Sequence, residues 1–336
     1  ELNIPAQNFL FASTHSHAAP DFIGGWGGVP SWYMRQVTDA LKTSVRKAVE
    51  NLEPARLEGG EILARQYNSD RRDTYYSAEE AGLSWFRAYA ANPEGNVDHV
   101  IATVASYAGH PTGHGDGPLA HPDYLGAFDK RVEERFGPNS VGLYFMSGLG
   151  NLSKSGGDSI GVALADLIPA TGQGTPVEGE TIRAKQVRWN HPVTNAPLAS
   201  LGAAGGFDRT FEPTPGSVVV QTKGSSRPCV SNSAISVDTG VTAIRIGNLT
   251  ITGGPGELFS NITNTVKERS PWVALPIALA NDGLGYIMQS REYDMASGEA
   301  LGFIGGGVFE YEDAYAIDGC LGDKVLVETM NALNGL

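Results

Sequence analysis

The chain has 336 residues, 41% apolar and 18% charged, with 43 glycines and a formal net charge of −13. This is enough apolar material for one large domain or two merged ones, and it argues against a coiled coil, a helical bundle or a disordered chain. The acidic balance lacks the basic stripe that neutralises phosphates, so nucleic acid is not an expected partner, and no apolar run reaches the roughly 18 residues that span a bilayer.

In chain order, Asn8-Phe9-Leu10-Phe11-Ala12 reads as a short buried strand that ends at Ser13-Thr14-His15-Ser16-His17. A Gly-rich loop, Gly24–Gly28, precedes a helix from about Ser31, whose apolar positions Tyr33, Val37, Leu41, Val45, Ala48 and Leu52 recur at helical spacing. Glu53-Pro54 ends it. Strand patterns follow near Leu57–Leu63 and over His99–Ala108, with the polar stretch Asn68–Arg72 between them. Residues 125–136 read as a helix, Val141–Met146 as a buried strand and Asp158–Ile168 as a helix. Residues 169–240 are rich in Gly, Pro, Ser and Thr and read as long loops and minor strands, an insertion or lobe. Thr242–Ile246 and Leu249–Thr252 form a hairpin across Gly247-Asn248. A helix opens near Glu257, and Trp272–Ala280 is strand-like. Alternating strands and helices with polar motifs at strand ends indicate an α/β fold, a mixed sheet core flanked by helices with long Gly/Pro-rich loops.

The polar motifs carry the chemistry. Imidazoles two residues apart at a strand end can point to one side, and neutral imidazole is the commonest metal ligand. A second cluster, His110-Pro111-Thr112-Gly113-His114 then His121-Pro122-Asp123, leaves another strand. His110 is the ligand candidate there, while His114 and His121 are expected at the rim. Glu257, at a helix start, is stabilised as an anion by the helix N-terminus. The two cysteines, Cys229 and Cys320, form no CxxC pair, which argues against a thiolate metal site. One long-range disulfide in an oxidising compartment and two buried thiols are both open, and the disulfide is the expectation. The chain opens at Glu1 with no leader in view, and secretion or another extracytoplasmic location is expected.

Five collinear motifs resemble the catalytic domain of the neutral (non-lysosomal) ceramidase family, in a short, divergent form. They are Thr14-His15-Ser16-His17, His110-Pro111-Thr112, Gly150-Asn151-Leu152-Ser153-Lys154, Pro255-Gly256-Glu257, and Gly285-Tyr286 running to Glu292-Tyr293. Glu312-Asp313-Ala314-Tyr315 and Gly322–Glu328 also fit. The resemblance implies a single catalytic domain over residues 1–336, without the family's C-terminal immunoglobulin-like domain. It implies Zn2+ held by His15, His110, Glu257 and Tyr286, and hydrolysis of an amide such as an N-acylsphingosine by zinc-bound water. His17 assists as acid–base or oxyanion group, Arg71 stabilises the oxyanion, and Ser153 is a nucleophile or a substrate-binding hydroxyl. Asn151 and Lys154 depart from the family's Asp and Pro, and the tyrosine expected near Gly298 is missing. Two alternatives stand: a metal-independent serine amidase using Ser153, and a catalytically idle relative that binds a lipid or glycan. The partner is a small-molecule or lipid amide, with peripheral membrane contact but no spanning segment. Phe22, Ile23, Trp26, Trp32 and Tyr33, with Ile287, Met288, Leu301, Phe303 and Ile304, are candidates for an apolar cleft.

Overall fold

The structure, a computed structural model, describes residues 4–336 except 26, 73–81, 93, 116, 154–156, 223–224 and 294–310. Two mixed sheets form its framework. The first has the order β5 (Val141–Met146), β4 (Val97–Tyr107), β3 (Gly82–Ala91), β1 (Arg56–Leu63) and β7 (Thr175–Pro176). Here β3 is antiparallel to β1 and β4, and β5 is parallel to β4. Parallel neighbours require a crossover, which helix α2 (Asp123–Phe136) provides. The second sheet has the order β14 (Val273–Ile277), β12 (Leu249–Gly253), β11 (Ser236–Ile246) and β8 (Ile182–Pro192). Its hairpin closes at Ile246 and Leu249, and helix α5 (Ser260–Arg269) carries the chain from β12 to the parallel β14.

The two sheets meet where Val104 of β4 packs with Leu249 and Leu275 of the second sheet. The Ser106 hydroxyl donates across that junction to the Pro276 carbonyl. Outside the first sheet, Phe128 and Val132 of α2 and Leu164 of α3 (Ser159–Leu167) are fully buried in the main core. The expected α/β architecture therefore holds, as mixed sheets flanked by helices, with no closed barrel among the described residues. Among those residues no helix is long and apolar enough to cross a membrane. Cys229 and Cys320 are joined in a disulfide that ties β10 (Cys229–Ser233) to the start of the helix Leu321–Asn334.

Several local expectations change. Asn8–Ala12 is not a buried strand: a short 3-10 turn, Ala6–Asn8, leads into extended chain with one bridge, Ala12 to Ala280, and Phe11 is 45% exposed. Helix α1 (Ser31–Glu50) forms where its periodicity predicts, yet it has no buried residue: Tyr33, Val37 and Val45 of its apolar stripe are half-buried and the rest is exposed. Residues 169–240 hold more regular structure than a loop reading expects. They contain the eleven-residue β8, a short helix α4 (Ala196–Ala203) and the ribbon of β9 (Gly216–Val220) with β10.

Candidate functional site

Four chain segments converge on one cluster of polar side chains. The first carries His15 and His17. It is pinned at Ser13, whose N–H donates to the Leu279 carbonyl, and at His17, whose N–H donates to the Pro111 carbonyl. His15 adopts a left-handed φ of 59°, a conformation in which His is enriched among non-glycine residues. The two rings end 5.1 Å apart, edge to face, and each lies within 6 Å of His110 (5.1 and 5.9 Å between centroids). The juxtaposition that strand alternation predicts is thus reached by a turned loop instead.

The second segment is the exit of β4, where His110 is 2% exposed. Its backbone N–H donates to the Leu152 carbonyl, and its Nδ1 lies 3.0 Å from the same oxygen. A carbonyl only accepts, so Nδ1 carries a proton and points away from the cluster, leaving Nε2 to face it. The Arg71 Nη1 contact at 3.4 Å is then packing against that edge, not a hydrogen bond. His110 Nε2 faces Glu257 Oε2 at 3.1 Å, and His15 Nε2 approaches the same oxygen at 3.4 Å.

The third and fourth segments are the two-residue strands β13 (Glu257–Leu258) and β15 (Tyr286–Ile287), which pair in parallel with Glu257 opposite Tyr286. Glu257 therefore does not open a helix. Helix α5 begins at Ser260, so the carboxylate takes its stabilisation from side chains rather than from a helix terminus. Burial disfavours its charge, but His15, His110 and a hydrogen bond with the Tyr286 phenol outweigh burial and hold the carboxyl below its ordinary range. Burial lowers the His15 pKa to about 4, so this imidazole is neutral with a lone pair to offer. Desolvation and then the neighbouring His110 also lower His17. Burial and the Glu257 charge push the Tyr286 phenol up, keeping it protonated in this arrangement.

Arg71 completes the cluster. Its Nη2 donates to the Tyr286 hydroxyl at 3.1 Å and to the Gly150 carbonyl at 2.8 Å, and its Nε donates to Glu312 Oε1 at 2.6 Å. Glu312 is 4% exposed and also pairs with Arg72. Gly150 is needed at that spot: a Cβ there would lie 2.5 Å from the Glu257 carbonyl oxygen and 2.6 Å from the Phe259 ring. Sequence reading gives Glu312 no role in the site, because it lies 241 residues from Arg71. The available signal was charge matching, since Arg71-Arg72 meets Glu312-Asp313.

Ser153 lies in β6 (Leu152–Ser153), paired with Ser69 of β2 (Ser69–Asp70), one residue from the carbonyl that fixes His110. Among the described residues no histidine hydrogen-bonds its hydroxyl. Of the candidate cleft residues, Phe22, Ile23 and Trp32 are 40%, 44% and 58% exposed. Ile287 and Met288 are buried core. Trp26, Leu301, Phe303 and Ile304, like Lys154 and the stretch Met295–Gly298, lie outside the described residues.

The cluster has the chemistry of a metal centre. His15, His17 and His110 offer ring nitrogens within 4.8 Å of one another. His15 Nε2 and His110 Nε2 both face one Glu257 carboxylate oxygen, at 3.4 and 3.1 Å, so nitrogen and oxygen ligand atoms converge on one point. Two imidazoles, a carboxylate and a phenol oxygen suit zinc, and the Leu152 carbonyl behind His110 is the usual orienting partner of a ligating histidine.

A mixed α/β framework with a buried His/Glu/Tyr/Arg cluster where two short parallel strands end is the class of fold and site defined here. No family model matches the chain, and no curated protein matches it. Among solved structures, the chain is similar to the neutral ceramidase from Pseudomonas aeruginosa, with a TM-score of 0.69 and 16% identity over 99% of this chain. A structure of a ceramidase complexed with C2 superposes with a TM-score of 0.67 and 16% identity over 97% of this chain. The chain spans 62% of the length of each ceramidase chain. The fold is thus that of the ceramidase structures.

Proposed function

We propose that this chain is a zinc-dependent amide hydrolase of the neutral ceramidase type, with residues 1–336 acting as one catalytic domain. The observation that carries the reading is the shared Glu257 oxygen, 3.1 and 3.4 Å from the Nε2 atoms of His110 and His15. In this reading His15, His110, Glu257 and Tyr286 hold zinc. The chemistry that zinc supplies at such a set is polarisation of an amide carbonyl and acidification of water. Arg71 keeps its positive charge beside the Tyr286 hydroxyl, because Tyr286 and Glu312 offset the effect of burial. It is therefore suited to a developing oxyanion. His17, exposed at the open side of the cluster, moves a proton.

The substrate in this reading is an N-acyl amide with a lipid-like acyl group. The exposed Phe22, Ile23 and Trp32 support it, with the Phe22 and Trp32 rings 6.0 and 5.7 Å from the Tyr33 ring. They form an apolar apron suited to peripheral contact with a lipid surface. The disulfide accords with an extracytoplasmic location. The test is metal analysis with an assay of three substrates: a long-chain ceramide, a medium-chain N-acyl amino acid and a short peptide. Chelator-sensitive hydrolysis favouring the long acyl chains is expected. Preference for the peptide would discard the lipid reading, and chelator-resistant activity would discard zinc.

A further inference from the structure

We propose that His114, His121 and Asp158 form a second, more exposed binding site for a divalent transition metal, beside the buried cluster and separate from it. None of the three is used by the site described above. Their ligand atoms all lie within 4.8 Å of one another. His114 Nε2 is 3.1 Å from Asp158 Oδ1, and the His121 ring stacks on that of His114 with centroids 3.7 Å apart, so the two rings splay when both direct their in-plane lone pairs at one ion.

The arrangement is built into the loop. The His114 N–H donates to Asp123 Oδ2 at 3.1 Å, and the buried Asp123 holds the entrance to α2. The His121 N–H donates to the Ala18 carbonyl, and its own carbonyl accepts from the Ser16 hydroxyl at 2.6 Å. Asp158 immediately precedes α3. Close approach of the two loops is tight at Gly113, where a Cβ would sit 3.2 Å from the Gly157 Cα. The same loop abuts the first site, since a Cβ on Gly115 would lie 3.1 Å from the His17 Cβ.

Two imidazoles and one carboxylate select zinc, nickel or copper over calcium or magnesium, which require oxygen cages. Three protein ligands leave positions open for water or an incoming group. His121 Nδ1 accepts the Asp123 N–H at 3.0 Å, so metal at Nε2 moves a proton to Nδ1 and forfeits that neutral hydrogen bond. His114 and Asp158 are therefore the anchors. Their side chains are 36% and 51% exposed, so this metal exchanges faster than one held by the buried His110 and Glu257.

The test uses the whole chain, stripped with chelator and dialysed against Zn2+ alone, with zinc counted per chain. About two zincs are expected for the wild type and about one for the His114→Ala, Asp158→Asn double variant, as for His15→Ala. A single wild-type zinc lost in the double variant and kept in His15→Ala would uphold this site and remove the buried one. Equal zinc content in wild type and double variant would overturn the proposal. A second measurement needs no variant: diethyl pyrocarbonate acylation of His114 and His121, mapped by mass spectrometry, should slow about tenfold or more with Zn2+. An unchanged rate at both would overturn it equally.

Discussion

Glu257 and Tyr286 face each other across a parallel ladder only two residues long, so backbone pairing sets a carboxylate beside a phenol. The ladder continues in the Glu257 N–H, which donates to the Gly285 carbonyl at 2.8 Å, and the Phe259 N–H, which donates to the Ile287 carbonyl at 2.9 Å. Arg71 Nη2 donates to the same phenol at 3.1 Å. Tyr286→Phe keeps the ring and its packing but removes the oxygen shared by these contacts. Zinc affinity should fall by about tenfold to a hundredfold, with the fold intact. Competition against a chelator of known affinity measures it, and unaltered affinity would remove Tyr286 from the ligand set.

Asn151 shows why the expected Asp is absent from its motif. Its Nδ2 donates to Asp70 Oδ2 at 2.8 Å, while its Oδ1 accepts the Ser260 N–H that opens α5. Its carbonyl also accepts the Arg71 N–H. Asn151→Asp would keep the acceptor but set two carboxylates against each other in a buried position. Urea unfolding at neutral pH should show a loss of about 2 kcal/mol or more, recovered in the Asn151→Asp, Asp70→Asn pair. Equal stability of the single variant would mean that the Asn151–Asp70 hydrogen bond carries no weight.

Local signals were legible where a pattern meets its turn chemistry: the Ile246 to Leu249 hairpin closes at Gly247-Asn248. Val141–Met146 is a strand as expected but not a buried one, since Val141 and Leu143 are 45% and 41% exposed on one face. β8 was not legible, because among the described residues it is an edge strand paired with β11, and most of its side chains are half-buried or exposed, which leaves a polar sequence. The pattern at Glu257 points to a helix start because α5 follows three residues later; its strand exists through pairing with Tyr286, 29 positions away in the numbering. The periodicity of α1 specified a helix but not a partner for its apolar stripe. His15, His110, Glu257, Tyr286 and Arg71, each named from the sequence, lie together in one cluster. The contacts that orient them, Leu152 behind His110 and Glu312 behind Arg71, arise from tertiary structure alone.

Asp318 gives the fold a pH dependence independent of the site. It is 4% exposed and accepts from Ser231 Oγ, from Thr194 Oγ1 at 2.7 Å and from the Cys320 N–H at 2.8 Å, with His191 Nε2 3.0 Å away. Burial disfavours its charge, but the hydrogen bond and charge of His191, then Ser231 and Thr194, hold it below its ordinary value of 3.8. A depressed carboxyl contributes stability that is fully present above the unfolded value and lost as pH falls through the folded one. Asp318→Asn should therefore cost about 2 kcal/mol at pH 7, with the gap narrowing below about pH 4. Denaturant melts at both pH values check this; a gap that widens in acid would reverse the sign.

The choice between a water nucleophile and Ser153 turns on His17. His17 stands within ring contact of His15 and His110 and is open to solvent, where a proton can be delivered to a leaving amine. Ser153 has no histidine partner for its hydroxyl among the described residues. Its β6 pairing with Ser69 accounts for its position structurally. His17→Ala should lower turnover by about 10²–10⁴-fold while zinc content stays near wild type. Ser153→Ala should act chiefly on KM, as the loss of a hydroxyl that contacts substrate. Rapid-quench measurements separate the routes. A burst of released amine that disappears in Ser153→Ala would establish an acyl-serine and end the water scheme. A linear time course in both variants, slowed only when His17 is missing, is the expected result.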